Sequence, residues 1–443
     1  MLGHVEAHTY SDLFLLDLPT KEVRPLTPKG DQSSYNWVEW DHDGSGLYMS
    51  TNRDREFRGL ARMDVASGDI PWLAQPPWDV EGMALSPDGE RLAYVVNERG
   101  YSKPRLRDLA TGTDIPLDGQ EGAAGTLQNP KGATTVAWSP DGGSLALTVN
   151  NPVAAPDVWL YGLPTGTARQ VTFSDTGGVP RDSFVEPQLV EFPTFDDRDI
   201  PAFLYTPKSA KADGRNPVVM HVHGGPEGQE RPVFNTIYQY LVQRGYCVLA
   251  PNVRGSQGYG RTYSHLDDVR KRMDSVHDLK YAWQWLVDSG WGHRDRIAVM
   301  GPSYGGFMTL SALTTYPELW AAGVDLYGVS DFRTMLRNTS SYRRKHRAAE
   351  YGDLEADADF LAEIAPINHV DRMRAPLMVL HGDADPRVPI GETEQMVIAV
   401  KEHGGEVEYE RFEGEGHGFV KRANRLRAYT AIGDFLDRHL RVG

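Results

Sequence analysis

The run Gly301-Pro302-Ser303-Tyr304-Gly305-Gly306 sets a serine in the pattern G-x-S-x-G, after the apolar stretch Ile297–Met300 and before a helical stretch starting near Gly305. A strand-to-helix elbow this tight strains the serine backbone, and small neighbours relieve the crowding. It also leaves the hydroxyl exposed at a helix N-terminus, where developing negative charge is stabilised. The pattern alone fits an ordinary glycine turn equally well; its place between a strand and a helix favours a nucleophile. A serine hydroxyl attacks poorly at neutral pH, so a histidine must take its proton and an acid must orient that histidine. The chemistry implied is acyl transfer through a covalent intermediate.

In an elbow of this kind the chain order is serine, acid, histidine. The histidines after Ser303 are His346, His369, His381, His403, His417 and His439. His417 lies in Gly414-Glu415-Gly416-His417-Gly418-Phe419, whose glycines let a loop bend the imidazole back over a sheet. His403 and His439 fall in or at the ends of polar helical stretches and read as solvated. For the acid, the strand Leu377–Leu380 runs into His381-Gly382-Asp383-Ala384-Asp385-Pro386. Asp385 precedes a proline-fixed turn and has a modest edge; Asp383 is the alternative, with loop amides as its other employment. The oxyanion requires two amide donors. Tyr304, next to the nucleophile, supplies one, and Gly225 of His223-Gly224-Gly225-Pro226 is the candidate for the other. His223 itself reads as a structural hydrogen-bonding residue.

Two kinds of element must position these groups. From Val190 onwards, apolar strands (Val218–Val222, Cys247–Ala250, Ile297–Met300, Ala322–Tyr327, Leu377–Leu380, Val407–Phe412) alternate with helical stretches (Asp278–Ser289, Gly305–Thr315, Glu392–Glu402, Lys421–His439). Such runs suit a mostly parallel, doubly wound sheet with its reactive groups at the carboxyl ends of the strands. Before about residue 185 a different unit repeats. Trp40-Asp41-His42-Asp43-Gly44, Leu85-Ser86-Pro87-Asp88-Gly89 and Trp138-Ser139-Pro140-Asp141-Gly142 each precede a short apolar strand; a second strand and a turn at Gly68, Gly112 or Gly166 follow. Strand–turn–strand units of this period are propeller blades, with a β-sandwich as the runner-up. The boundaries are therefore 1–185 for a β-propeller-like domain and 186–443 for the α/β domain. The first unit, from Asp12, matches only the second half of the others, so about three and a half blades are counted. Closed propellers typically carry about four to eight. The count points either to a small propeller or to sequence upstream of Met1, and leans towards the latter.

As a set, His223-Gly224-Gly225-Pro226, Arg254-Gly255-Ser256-Gln257-Gly258-Tyr259-Gly260, Gly301-Pro302-Ser303-Tyr304-Gly305-Gly306, His381-Gly382-Asp383-Ala384-Asp385 and Gly416-His417-Gly418 resemble the prolyl oligopeptidase family, its acylaminoacyl-peptidase-like branch in particular. The resemblance implies an α/β-hydrolase catalytic domain, serine peptidase activity on short peptides, and no metal or cofactor. It assigns the acid to Asp385, the triad to Ser303, Asp385 and His417, and the repeat region to the propeller that in this family caps the active site. Family propellers usually have seven or eight blades, and this chain departs from that. A carboxylesterase using the same triad, and a propeller binding module with an inactive hydrolase domain, are the competing readings.

Three arginines bear on the substrate. Arg254 either contacts a substrate backbone group or makes a structural bond in its glycine-rich loop. Arg343 and Arg344, in the basic run Tyr342-Arg343-Arg344-Lys345-His346-Arg347, either bind a peptide carboxylate or form a solvated helix face. A net charge of -15 excludes a general nucleic-acid binder. The single cysteine, Cys247, allows no disulfide within the chain and reads as a buried hydrophobe. The start Met1-Leu2-Gly3-His4 lacks the regions of a signal peptide, and no stretch is long and apolar enough to span a bilayer. The expectation is a cytoplasmic protein away from membranes, with unpaired blade edges favouring homo-oligomers.

Overall fold

A computed structural model describes residues 2–7, 10–28, 30–117, 123–124 and 136–440. They form two compact units: Met1–Phe184 with Arg231–Phe234 and Gln257–Thr262, and Val185–Glu230 with Asn235–Ser256 and Tyr263–Gly443.

The first unit is all β. Its described strands form antiparallel sheets in chain order: a three-stranded one within Leu2–Pro25, four-stranded ones within Tyr35–Ala74 and Asp79–Pro116, and a five-stranded one within Ala123–Gln170. The repeated sequence signals become repeated turns. Gly44, Gly89 and Gly142 all have positive φ, and each amide donates to the carbonyl three residues back, on Asp41, Ser86 and Ser139. At the next corner Gly68, Gly112 and Gly166 donate to Asp64, Asp108 and Gly162, four residues back. The first sheet has three strands, Leu2–Ala7, Tyr10–Leu16 and Val23–Pro25, one more than the reading from Asp12 supplied. Leu47, Met49, Leu60, Leu92 and Tyr94 pack one core, and Leu106, Leu145, Leu147 and Tyr161 a second.

The second unit is an eight-stranded sheet flanked by helices. Its strands are β1 (Gln188–Pro193), β2 (Asp199–Tyr205), β3 (Val218–His221), β4 (Cys247–Pro251), β5 (Ile297–Pro302), β6 (Ala322–Leu326), β7 (Leu377–Gly382) and β8 (Val407–Phe412). Their spatial order is β1-β2-β4-β3-β5-β6-β7-β8. β1 and β2 pair antiparallel, as do β2 and β4, and every other pairing is parallel. This is the α/β-hydrolase order. The β1–β2 hairpin was not resolved from sequence because its charged turn, Asp196-Asp197-Arg198, interrupts the apolar pattern; there the Thr194 amide donates to the Arg198 carbonyl at 2.9 Å. The central strands are buried end to end, which explains their continuous apolar runs.

The helices that matter for the site are α1 (Thr236–Gln243), α2 (Arg272–Asp288), α3 (Tyr304–Thr315), α4 (Phe332–Asn338), α5 (Ser341–Tyr351), α6 (Gly391–Glu402) and α7 (Arg422–Leu440). Tyr304–Thr314 of α3 are all buried, as befits a helix that is apolar on every side. Among the described residues no helix is long and apolar enough to cross a membrane.

β5 and α3 meet so closely that side chains are excluded. A Cβ on Gly305 would lie 2.1 Å from the Val222 carbonyl oxygen, and one on Gly301 would lie 2.4 Å from the Gly305 oxygen. Both obstacles are backbone and cannot swing aside. Gly305→Ala should therefore destabilise the hydrolase unit by about 3 kcal/mol, seen as a lower urea midpoint; an unchanged midpoint would show that the elbow can relax.

Candidate active site

Ser303 is the residue between β5 and α3, and its backbone sits at φ 58°, ψ -118°, a region a β-carbon opposes. Its amide donates to the Leu326 carbonyl at the end of β6 (2.8 Å), and its carbonyl accepts from Gly306 (2.9 Å) and Phe307 (3.2 Å). The Ser303–Tyr304 peptide is thereby fixed, with the Tyr304 N–H at the first position of α3, where a helix offers no acceptor.

Past β7, Asp385 is fully buried at its side chain. Oδ1 accepts from the amides of Arg387 (2.7 Å) and Val388 (3.1 Å), and Oδ2 accepts from His417 Nδ1 at 2.6 Å. His381 adds a third support: its Nε2 lies 3.3 Å from Oδ2 and donates to the Val388 carbonyl (3.1 Å), while Nδ1 accepts from Thr393 (2.7 Å). Burial opposes ionisation of Asp385, but the bonds from His381, His417 and Arg387 outweigh it and hold the carboxyl below its ordinary range. An acid depressed in this way contributes its stability above the unfolded value near 3.9 and loses it only as pH falls through the lower folded value. Asp383, the competing aspartate, accepts instead from the Gly414 amide (2.7 Å) and faces Arg411 (3.3 Å).

The link from His417 to Ser303 runs through Tyr327. The Tyr327 ring lies 4.8 Å from the imidazole centroid, and its residue follows Leu326, whose carbonyl holds the Ser303 amide. Among the described residues neither Ser303 Oγ nor His417 Nε2 makes a hydrogen bond, so the serine–histidine bond expected from sequence is open here. In free enzymes such bonds are commonly long and tighten with substrate.

The loop carrying the candidate oxyanion donor abuts Ser303: a Cβ on Gly224 would lie 3.4 Å from Ser303 Cβ. His223 Nδ1 donates to the Gly224 carbonyl (2.8 Å), and burial lowers the pKa of this histidine, favouring the neutral ring. Because the peptide is planar and trans, holding the Gly224 carbonyl also fixes the direction of the Gly225 N–H. Gly225 itself has φ 143°, beyond what a side chain tolerates, and its carbonyl accepts from the Tyr351 hydroxyl at 3.2 Å. A further acid lies nearby: Asp325 of β6 accepts from Gly328 (2.8 Å), and burial pushes its carboxyl up to about 7.

Residues 232–443 match the prolyl oligopeptidase family. The chain is 30% identical to dipeptidyl aminopeptidase BIII of Pseudoxanthomonas mexicana over 429 residues, 94% of this chain and 60% of that protein. That segment, residues 232–443, belongs to the prolyl oligopeptidase family. The chain is also 23% identical to the acylamino-acid-releasing enzyme of Arabidopsis thaliana over 414 residues, 91% of this chain and 49% of that one. Among solved structures, puromycin hydrolase superposes with a TM-score of 0.88 at 27% identity, covering 98% of this chain and 66% of that one. The chain thus spans roughly half to two thirds of the length of these family members.

Within this prolyl oligopeptidase domain, two expected substrate contacts are corrected. Arg254 is buried, with Nε (3.0 Å) and Nη2 (2.9 Å) on Asp278, Nη2 also on Asp196 (3.1 Å), and its guanidinium 4.2 Å over Phe195. It ties β4 to α2 and the β1–β2 turn, with no donor directed at a ligand. Arg344 donates to the carbonyls of Leu336 (2.8 Å) and Arg337 (2.9 Å), closing the end of α4. Arg343 is half-buried, with no side-chain partner among the described residues. The side chains of Tyr342 and Lys345 lie outside the described residues. Sequence reasoning missed His381 and Tyr351 as supports; His381 stood inside a quoted motif, whereas nothing local marked Tyr351. Arg254→Met should cost about 3–5 kcal/mol, since Asp278 would stay buried without its cation. An unchanged urea midpoint with a raised KM would return Arg254 to the substrate.

Proposed function

We propose that this protein is a serine peptidase acting on short peptides, with Ser303 as nucleophile, His417 as general base and acid, and Asp385 as the group that orients His417. The observation that carries the reading is the 2.6 Å bond from His417 Nδ1 to a buried, ionised Asp385. That bond leaves His417 Nε2 as the basic nitrogen, the tautomer a serine hydroxyl needs. Ser303 Oγ would attack the scissile carbonyl as its proton passes to His417. The Tyr304 and Gly225 amides would hold the oxyanion until the tetrahedral adduct collapses, with His417 protonating the leaving amine. Water, activated by the same imidazole, would then release the acyl group. Peptides are favoured over simple esters by the kinship with dipeptidyl aminopeptidase BIII and puromycin hydrolase.

Arg343 is proposed to meet the substrate's carboxylate. It is four residues from Arg347 on α5, hence on the same helix face, and Arg347 pairs with Glu227 next to the oxyanion loop at 3.0 Å.

Three outcomes test these assignments. An organophosphonate probe should label the protein at Ser303 and fail on Ser303→Ala; labelling elsewhere refutes the nucleophile. Asp385→Asn should lower kcat by about 10⁴-fold by allowing the wrong imidazole tautomer, and a loss under tenfold would remove Asp385 from the triad. Arg343→Ala should raise KM about tenfold for peptides with a free C-terminus and leave C-terminal amides unaffected; equal effects on both would end that proposal.

A further inference from the structure

A histidine held at one nitrogen is only half placed. The 2.6 Å bond from His417 Nδ1 to Asp385 fixes one atom of the imidazole and leaves the ring able to swing about that contact. Nε2, the atom that must reach the serine, travels furthest in such a swing. The chain around His417 resists it little. Gly414 and Gly418 both have positive φ (64° and 131°), and a Cβ on Gly416 would meet nothing within 4 Å. The angle of the ring has to be set from outside this loop.

Tyr327 is the side chain in place to set it. Its ring centroid lies 4.8 Å from that of His417, with the two planes 58° apart. The same ring lies 5.8 Å from Phe419 and 6.2 Å from His381, and a Cβ on Gly418 would lie 3.9 Å from its hydroxyl oxygen. It therefore packs against the base, the loop that follows the base, and the histidine that supports Asp385. Among the described residues its hydroxyl makes no hydrogen bond, so the contact is made by the ring.

The backbone beneath that ring is keyed to the nucleophile. Tyr327 has φ 44°, a left-handed value that a bulky side chain opposes and a glycine would accept without strain. Three ties impose it. The Tyr327 amide donates to the Leu380 carbonyl on β7 (2.8 Å), and the Leu326 carbonyl accepts from the Ser303 amide (2.8 Å). Both bonds leave one planar peptide, so neither end can turn alone. Gly328 then lies against α3, where a Cβ on it would be 2.7 Å from the Gly306 Cα. One short turn thus holds the serine by its backbone and the histidine by a ring.

We propose that Tyr327 is a positioning residue whose ring walls the His417 imidazole from a backbone referenced to Ser303, and so sets where Nε2 stands when the serine gives up its proton. This rests on the serine peptidase reading above and adds to it the group that aligns base and nucleophile. The strain marks the function: the turn alone would be served better by glycine, but glycine has no ring.

Substitutions at this one position separate alignment from stability. Tyr327→Leu, apolar but without a flat ring, should lower kcat on a peptide anilide about 100-fold, the scale of a misplacement of about 1 Å. Its KM should change less than about threefold. Tyr327→Phe, which restores the ring, should recover kcat to within about threefold of wild type. Tyr327→Ala and Tyr327→Gly both lack the ring, yet only glycine relieves the backbone. The glycine variant should therefore have the higher urea midpoint while both show the same loss of about 100-fold in kcat per folded molecule. A tyrosine that merely stabilised the fold would leave that kcat at the wild-type level in every variant that folds. A wild-type Ser303 that takes no phosphonate label overturns the peptidase reading, and the alignment role with it. With labelling intact, a loss under about tenfold in Tyr327→Leu or Tyr327→Gly overturns the alignment role alone, as does a Tyr327→Phe no better than Tyr327→Leu. If no variant lacking the ring folds, the ring serves folding and the alignment role is likewise overturned.

Discussion

A serine backbone at φ 58° is a conformation that its own β-carbon resists, and it persists because the surroundings allow no other. The Ser303 amide is taken by β6 and its carbonyl by the first turn of α3, while Gly301 and Gly305 let β5, α3 and the end of β3 come within backbone contact. The packing of the whole α/β unit serves this contact. A helix as deeply buried as α3 cannot pull back from the sheet, and a central strand such as β5, paired in parallel with β3 and β6, cannot slip in register. The strain at one residue is therefore held by hydrogen bonds and burial spread over three strands and a helix. Its product is a serine held at the carboxyl end of β5, at the head of α3 and against the loop at Gly224.

The acid limb of the site is held electrostatically. Asp385 is a carboxylate taken out of water, which would ordinarily favour the neutral acid. Two amides and two imidazoles reverse that preference, and the shorter imidazole contact is the one to His417, the proposed base. His381, with Thr393 and the Val388 carbonyl, fixes the turn that presents Asp385. The contrast with Asp325 is instructive. It lies on the neighbouring strand and is equally buried, but it has one amide partner and one oxygen without any among the described residues, and its carboxyl is pushed up to about 7.

What could be read from the sequence was what is local along the chain. The elbow, the glycine loop after β3, the turn at Asp385 and the loop at His417 each lie within a few residues, so composition and position disclosed them. The propeller-like turns at Gly44, Gly89 and Gly142 were legible for the same reason, through repetition of one hydrogen bond. Contacts made across the fold left no such trace. Arg254 bonds partners 24 and 58 positions away, Arg347 one 120 away, and Tyr351 one 126 away. A sequence pattern shows that an arginine is present, but its partner is set by topology.

That difference explains the basic run on α5. In a chain with excess acid, Arg343-Arg344-Lys345-His346-Arg347 looks like a surface for anions, yet two of its arginines bond to the protein itself: the exposed Arg344 to the carbonyls that end α4, the buried Arg347 to Glu227. The anion that Arg347 answers is the protein's own. Acids buried beside the oxyanion loop require cations at the same depth, and a helix crossing over the loop is the element able to deliver them. The guanidinium group suits this task, since its planar donors satisfy several acceptors at once and it stays charged where a lysine would neutralise. Arg272, fully buried between Asp267, Glu350 and the ring of Tyr304, is the limiting case: it bonds two acids and the Tyr304 hydroxyl at one point. The Tyr304 side chain, next to Ser303, is thus held from behind by a guanidinium that is itself fixed by two acids.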